Sequence, residues 1–334
     1  MAGRHTRVTM TDPPTPTDDE VRSFVTRSWG PAAGESVAPL GAGEWSRAYS
    51  FTDYSPTHAT GPRWPPEMVI RFGRHRTDFV KDRVMGGCPT VPVPRVRDIG
   101  PTPWGFFVTS ERAAGTYLDT LGGDEMSSVL PALLRTLDAV AELTPPGPGY
   151  GMWDEHGAAP FESWRDALLE VAHEHPRVAG WKELLARRPG PAAVFERGIA
   201  ALDEQLGRLQ RRADSAGPRR IVHSDLLNRN VLVNATSGVV TAVLDWGNAL
   251  YGDPVYDLAW LLFWWPWYPA WSGVDVRTAI EEHLAAAGRG STDLAERLLA
   301  YQCHIGLDGL TYNAFTRRWD TLDRVADQLD ALLR

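Results

Sequence analysis

Residues 221–260 read IVHSDLLNRNVLVNATSGVVTAVLDWGNALYGDPVYDLAW, and the interpretation of the whole chain follows from them. His223, Asp225 and Asn230 fall in the spacing His-x-Asp-x-x-x-x-Asn. Val231-Leu232-Val233 then reads as a strand, Asn234 to Gly238 as a turn, and Val239 to Leu244 as a returning strand that ends at Asp245. These residue types suit the transfer of a phosphoryl group. The group in flight is anionic and accompanied by Mg²⁺, so hard oxygen donors from Asn230 and Asp245 are the expected metal ligands. The attacking hydroxyl must be oriented and finally lose its proton to a carboxylate within hydrogen-bond reach, a role that falls to Asp225. His223 is expected to pack beneath the loop rather than to react.

In a chain with nine histidines this spacing arises by chance about 0.01 times, and the strand after it and the aspartate closing the next strand lower that figure further. The competing view makes Asp225 and Asn230 ordinary turn residues before a hairpin. The catalytic-loop pattern of kinases is the better account.

Upstream, residues 1–17 are rich in Pro, Thr and Asp and read as a disordered tail. Thr17 followed by Asp18, Asp19 and Glu20 reads as a helix start ahead of Val21, Phe24 and Val25. Val37 to Ile70 is strand-rich, with a glycine turn at Gly41-Ala42-Gly43 and a strand at Met68 to Phe72. A short helix over Thr77 to Met85, the run Val91-Pro92-Val93-Pro94 and a strand at Phe106 to Thr109 follow, and the polar Ser110 to Gly115 reads as a linker. Beyond Ser127 helical periodicity dominates, over Val129–Leu143, Phe161–Ala172, Ala192–Leu209, Val276–Ala287 and Leu294–Leu310. The expected fold is α+β and two-lobed, like a protein kinase. A small β-rich N-lobe with its leading helix (18–112) would bind nucleotide, and a larger helical C-lobe (113–334) would carry the catalytic loop and the acceptor site.

Composition narrows the function classes. A net charge of −8 without a long basic run argues against nucleic acid as a partner. Two cysteines, Cys88 and Cys303, cannot make a disulfide framework, which fits a reduced, cytoplasmic setting. The most apolar stretch, Leu258 to Trp271, has fourteen residues and two prolines and is too short to span a membrane. The N-terminal residues lack the apolar centre of a secretory signal. No obligate protein partner is evident. Of 34 basic residues only Lys81 and Lys182 are lysine, so chemistry that needs a lysine has two candidates.

The segments VHSDLLNRNVLV (222–233), VLDW (243–246) and YGDPVYDLA (251–259) resemble the aminoglycoside phosphotransferase family, small-molecule relatives of protein kinases. The likeness runs over most of the chain from Val37 onward. GEWSRAYSF (43–51), KDR (81–83), PVP (92–94) with DIG (98–100), WRD (164–166) and IGLD (305–308) are similar to the branch acting on hygromycin B. The resemblance implies Asp225 as catalytic base, Asn230 and Asp245 as Mg²⁺ ligands, Asp257 as a structural acid near the loop and Asp253 as the shaper of the preceding turn. It implies ATP or GTP as the second substrate. Gly41 to Arg47 would form the turn over its phosphates, with Ser46 and Arg47 as contacts, and Ser110 to Arg112 the hinge that offers backbone groups to the base. Gly41-Ala42-Gly43 reads equally as a plain hairpin turn. Where the family has a lysine on the third strand, this chain has Arg71, which can grip phosphates bidentately with Asp82 as its carboxylate partner. The alternative makes both solvent-facing charges.

The acceptor side is less legible. Asn228 and Trp246 beside the catalytic residues, and the acids Asp275 and Asp308, are the candidates for holding a cationic aminoglycoside. Phe263, Trp264, Trp265, Trp267, Tyr268 and Trp271 form either a stacking wall for sugar rings or helical-lobe core, with core the stronger reading. The expected activity is phosphorylation of an antibiotic hydroxyl, conferring resistance. The rivals are a kinase of another small alcohol (a macrolide, choline, homoserine or a sugar) and a catalytically inactive kinase-like binding protein.

Overall fold

The structure, a computed structural model, describes residues 15–43, 45–54, 66–211, 218–227, 229–290 and 292–334. Asn228 and the tail up to residue 14 lie outside them. The chain divides into two compact units, one of Met1–Gly87 with Val93–Ala113 and one of Cys88–Pro92 with Ala114–Arg334.

The first unit opens with α1 (Asp18–Trp29). Its start is a reciprocal cap: Thr17 Oγ1 accepts from the Glu20 N–H at 3.3 Å, and the Glu20 carboxylate accepts from the Thr17 N–H at 2.7 Å. After α2 (Pro31–Glu35) come β1 (Ala38–Ala42), β2 (Ser46–Thr52), β3 (Glu67–Gly73), α3 (Arg76–Gly86), β4 (Val96–Thr102) and β5 (Gly105–Glu111). The strands form one antiparallel sheet in the order β1-β2-β3-β5-β4. Strand alternation buries Met68, Ile70 and Phe72 of β3 in a core with Val21, Val25, Tyr49 and Phe51, flanked by Phe24 and Trp29. Arg71, between two of those core residues, is thereby sent to the opposite face of the sheet.

The second unit begins with β6 (Thr116–Tyr117) and α4 (Gly123–Ala141), followed by β7 (Gly151–Met152), α5 (Trp164–Leu169), α6 (Trp181–Ala186) and α7 (Pro189–Gln210). The helix expected over Phe161–Ala172 is shorter than its periodicity. Ser163 starts it by accepting from the Asp166 N–H, and a 3₁₀ turn at Glu170–Ala172 closes it. The catalytic segment contributes β8 (Arg220–Val222), β9 (Val231–Asn234), β10 (Val239–Val243), β11 (Leu250–Gly252) and α8 (Val255–Trp264), and α9 (Val276–Ala286), α10 (Leu294–Phe315) and α11 (Trp319–Leu332) complete the unit. Two small sheets frame the segment, ordered β10-β9-β6 and β7-β11-β8. Helix α10 is the central post, packed by α6, α7, α8 and α11 and buried at nearly every position from Leu298 to Ala314. The tryptophan-rich stretch divides: Phe263, Trp265 and Trp271 are core, while Trp264, Trp267 and Tyr268 are half-buried. Among the described residues no helix is long and apolar enough to cross a membrane.

Candidate active site

The hairpin β9–β10 brings the sequence-predicted residues of the second unit together. Asn230 precedes β9 and Asp245 follows β10, and the Leu244 N–H donates to the Asn230 carbonyl at 2.7 Å, so the two side chains leave from neighbouring points of the backbone. The Asn230 amide nitrogen donates to the Asp225 carbonyl at 2.7 Å, which leaves the amide oxygen as the atom suited to a hard cation. Asp225 is partly buried, and the Asn248 amide approaches its Oδ2 at 3.5 Å. Asp245 is exposed. Two oxygen donors are a small set, which fits Mg²⁺, an ion that keeps most of its waters. Among the described residues no cluster of three or more His, Cys, Asp or Glu is arranged to hold a metal.

The loop is strained. Four non-glycine residues with positive φ occur among the described residues, and three are here: Ser224 at 61°, Arg229 at 68° and Asp245 at 59°. Such conformations persist only where the surroundings over-determine them, and the surroundings are visible. His223 is fully buried; its Nδ1 accepts from the Asp225 N–H at 3.2 Å, which assigns the ring proton to Nε2, the donor to the Leu244 carbonyl at 2.9 Å. Burial pushes its imidazole down to about 4, so it is a neutral scaffold piece, as the sequence suggested. Asp257, buried on α8, accepts from the N–H groups of His223 (2.9 Å) and Ser224 (2.8 Å) with its two oxygens. Burial pushes its carboxyl up to about 6 while the two N–H groups pull it back.

Behind Asp257 stands a second buried acid. Asp253 accepts from Arg297 Nε at 2.7 Å, from the Tyr301 hydroxyl at 2.6 Å and from the Val255 N–H at 3.0 Å, with a further bond from the Arg297 guanidinium. The start of α8, and Asp257 with it, is thus pinned to α10. Nothing in the motif spacing announced Arg297 or Tyr301, because their partner lies more than forty residues away along the chain.

The acceptor-side candidates separate. Trp246 is completely buried, its ring edge-on to His223 and its Nε1–H donating to the Val243 carbonyl at 3.2 Å. It presents no surface to an acceptor, and its role is that of core. Asp275 caps α9, receiving the N–H (3.0 Å) and hydroxyl (2.8 Å) of Thr278, which gives it a structural reason to be acidic. Asp308 on α10 is reached by water yet so closely surrounded that burial pushes its carboxyl up to about 6. Near it the Tyr256 hydroxyl and His304 Nδ1 share a buried hydrogen bond of 2.9 Å. Gly309 beside Asp308 lets α10 run close to α11, since a Cβ there would lie 3.2 Å from Val325; Trp264 is also in contact with this point of the helix.

The candidates of the first unit are also placed. Arg71 on β3 pairs with Asp82 on α3, its guanidinium 5.4 Å from the centre of the Phe79 ring. Both are largely buried, not solvent-facing charges. Lys81, next to Asp82, is fully buried. Ser46 and Arg47 open β2 after a turn in which the Gly43 N–H donates to the Ser46 carbonyl at 2.9 Å, and Arg47 donates to the Pro16 carbonyl at 3.2 Å. The linker expected at Ser110–Gly115 starts as strand. Ser110 pairs within β5, and the N–H groups of Glu111 and Arg112 donate to the carbonyls of Arg95 and Glu67. Those two N–H donors are engaged within the unit.

Known proteins share this fold. The chain is 30% identical to the Escherichia coli hygromycin-B 4-O-kinase over 301 residues, 88% of this chain and 80% of that protein. A crystal structure of aminoglycoside phosphotransferase APH(4)-Ia, an alanine-substituted thermostable mutant in ternary complex with AMP-PNP and hygromycin B, superposes with a TM-score of 0.74 at 30% identity. It covers 94% of this chain and 98% of that one. The GDP complex of aminoglycoside 2'-phosphotransferase-IIIa shares the fold, with a TM-score of 0.64 at 16% identity, covering 95% and 99% of the two chains. The pattern of the phosphotransferase enzyme family matches residues 61–297, and to that family this chain belongs.

Proposed function

We propose that the protein transfers the terminal phosphoryl group of ATP or GTP to a hydroxyl of a cationic aminoglycoside, hygromycin B or a close aminocyclitol relative, and so makes a cell resistant to it. The observation that carries this reading is the identity to hygromycin-B 4-O-kinase along most of the chain. The catalytic loop supports it in detail. The hygromycin B complexes of APH(4)-Ia include alanine variants of an aspartate and of two successive asparagines at the fourth and fifth positions after it. Asp225, Arg229 and Asn230 stand at the same spacing, with an arginine in the fourth position.

In this scheme Asp225 orients the acceptor hydroxyl and takes its proton. Asn230 and Asp245 would hold Mg²⁺, which when bound neutralises charge on the phosphates. Arg71, oriented by Asp82, binds the nucleotide phosphates, with Ser46 and Arg47 on the adjoining strand. Asp308 attracts an ammonium group of the acceptor, and the half-buried Trp264, in contact with the neighbouring Gly309, offers it an apolar surface. Expression in a hygromycin-sensitive host, beside the Asp225→Asn variant, tests the reading. Resistance in the first strain alone, with a product heavier by one phosphoryl group, is the expected result; equal killing of both strains refutes it.

A further inference from the structure

Arg229 is the residue of the catalytic segment that the proposed chemistry leaves without a task. It follows Asp225 by four positions and immediately precedes Asn230. Its backbone sits at a φ of 68°, a region where glycine is at ease and an arginine is not. Its side chain is exposed. Among the described residues the guanidinium has no carboxylate in ion-pair range, and its partner is the face of Tyr117 on β6, 5.5 Å away. Tyr117 is itself fixed, paired with Leu232 of β9. Many arginines elsewhere in this acidic protein are matched to carboxylates, as Arg71 is to Asp82 and Arg297 to Asp253. A cation held on a rigid aromatic platform, between a candidate base and a candidate metal ligand, is matched instead to an anion that arrives from outside.

We infer that Arg229 is a catalytic residue whose guanidinium leaves Tyr117 to pair with the equatorial oxygens of the phosphoryl group during transfer. This rests on the phosphotransferase reading above. In the step concerned the bond from phosphorus to the nucleoside diphosphate breaks, the bond from the acceptor oxygen to phosphorus forms, and the acceptor proton passes to Asp225. Arg229 exchanges no proton. Its fixed charge faces the oxygens over which negative charge spreads, the task of an arginine supplied in cis. The strained backbone costs stability and is tolerated because the side chain must leave the loop at this point.

The test compares wild type with Arg229→Gln, Arg229→Lys and Arg229→Gly, reading acceptor phosphorylation, slow nucleotide hydrolysis without acceptor, and inhibition by ADP with aluminium fluoride, a mimic of the group in transfer. Arg229→Gln should lower kcat ~10²-fold or more for both transfer and hydrolysis. It should leave the acceptor KM within about threefold and weaken inhibition by the mimic in step with kcat. Arg229→Lys should recover part of the loss. Arg229→Gly should melt at a higher temperature than wild type while being as slow as the Gln variant, which separates strain from catalysis. A Gln variant that keeps pace with an active wild type, or one that changes only the acceptor KM, overturns the inference and leaves the phosphotransferase reading standing. A wild type that turns over no nucleotide with any acceptor sinks both.

Discussion

Replacing Asp257 with Asn separates what this side chain costs from what it does. Its carboxyl is raised from 3.8 to about 6, so keeping it ionised in the folded protein costs ~3 kcal/mol above pH 6. Asparagine removes that cost. It also replaces two acceptor oxygens by one oxygen and one NH₂ group, so one of the N–H groups of His223 and Ser224, which Asp257 meets at 2.9 and 2.8 Å, faces a donor. A buried N–H left without a partner costs ~1–3 kcal/mol. Near pH 7.5 the two changes oppose each other, and the variant should be as stable as wild type or up to about 2 kcal/mol more stable. The sign reverses in acid. A carboxyl raised on folding contributes stability that is present below 3.8 and lost as pH rises through about 6. Acidification from pH 7.5 to pH 4.5 should therefore move the difference between the two by ~2 kcal/mol in favour of wild type. Turnover should fall regardless of pH, because the loop bearing Asp225 is no longer held, and misplacement by an ångström can cost ~10² in rate. Urea unfolding followed by tryptophan fluorescence at the two pH values, with steady-state kinetics at pH 7.5, measures all of this. A variant that keeps wild-type turnover, loses several kcal/mol at pH 7.5, or shows the same stability difference at both pH values would mean that Asp257 neither bears this ionisation cost nor holds the loop.

Asp225→Asn should reduce kcat ~10²–10⁴-fold while nucleotide binding, measured by calorimetry, persists. Asp245→Ala and Asn230→Ala should each raise the magnesium concentration needed for half-maximal rate, Asp245→Ala more because it removes charge as well as an oxygen; an unmoved magnesium curve removes the residue from the site. Arg71→Ala should raise the nucleotide KM more than the acceptor KM, and equal effects contradict its assignment to the phosphates. His304, pushed down to about 3 by burial, contributes stability that is complete above pH 6.5 and declines by ~1.4 kcal/mol per pH unit as pH falls toward 3. His304→Gln should therefore lose stability less steeply than wild type between pH 6 and 4, as equilibrium unfolding at several pH values will show.

The catalytic loop was legible because its chemistry compresses into eight consecutive residues, His223 to Asn230, whose types and spacing serve one reaction. The first helix was legible too, since Thr17 and Glu20 announce its start by side-chain chemistry alone. Strand β4 was not: Val-Arg-Asp-Ile-Gly-Pro-Thr has little apolar alternation, and it is a strand because β5 pairs with it at the sheet edge. The segment Phe161–Ala172 carried a helical period for twelve residues, but its cap lies at Ser163, inside that span. Trp246 shows the limit most directly. Its place beside Asp245 suggested contact with an acceptor, but a side chain's direction depends on packing against residues such as His223, which no local pattern records. Arg229 escaped for another reason: its backbone conformation and its seat on Tyr117 exist only in three dimensions.

The Asp253–Arg297–Tyr301 cluster also bears on how the protein is born. The nascent chain completes the catalytic loop at Asn230, but the arginine and tyrosine that hold the start of α8 arrive with α10. At ~5–20 residues per second, translation separates the two events by several seconds. During that interval the loop exists without its brace, and Asp253 is an acid still waiting for its base. An incomplete chain released before Arg297 would carry every motif residue of the candidate site without the arginine and tyrosine that brace the helix behind it.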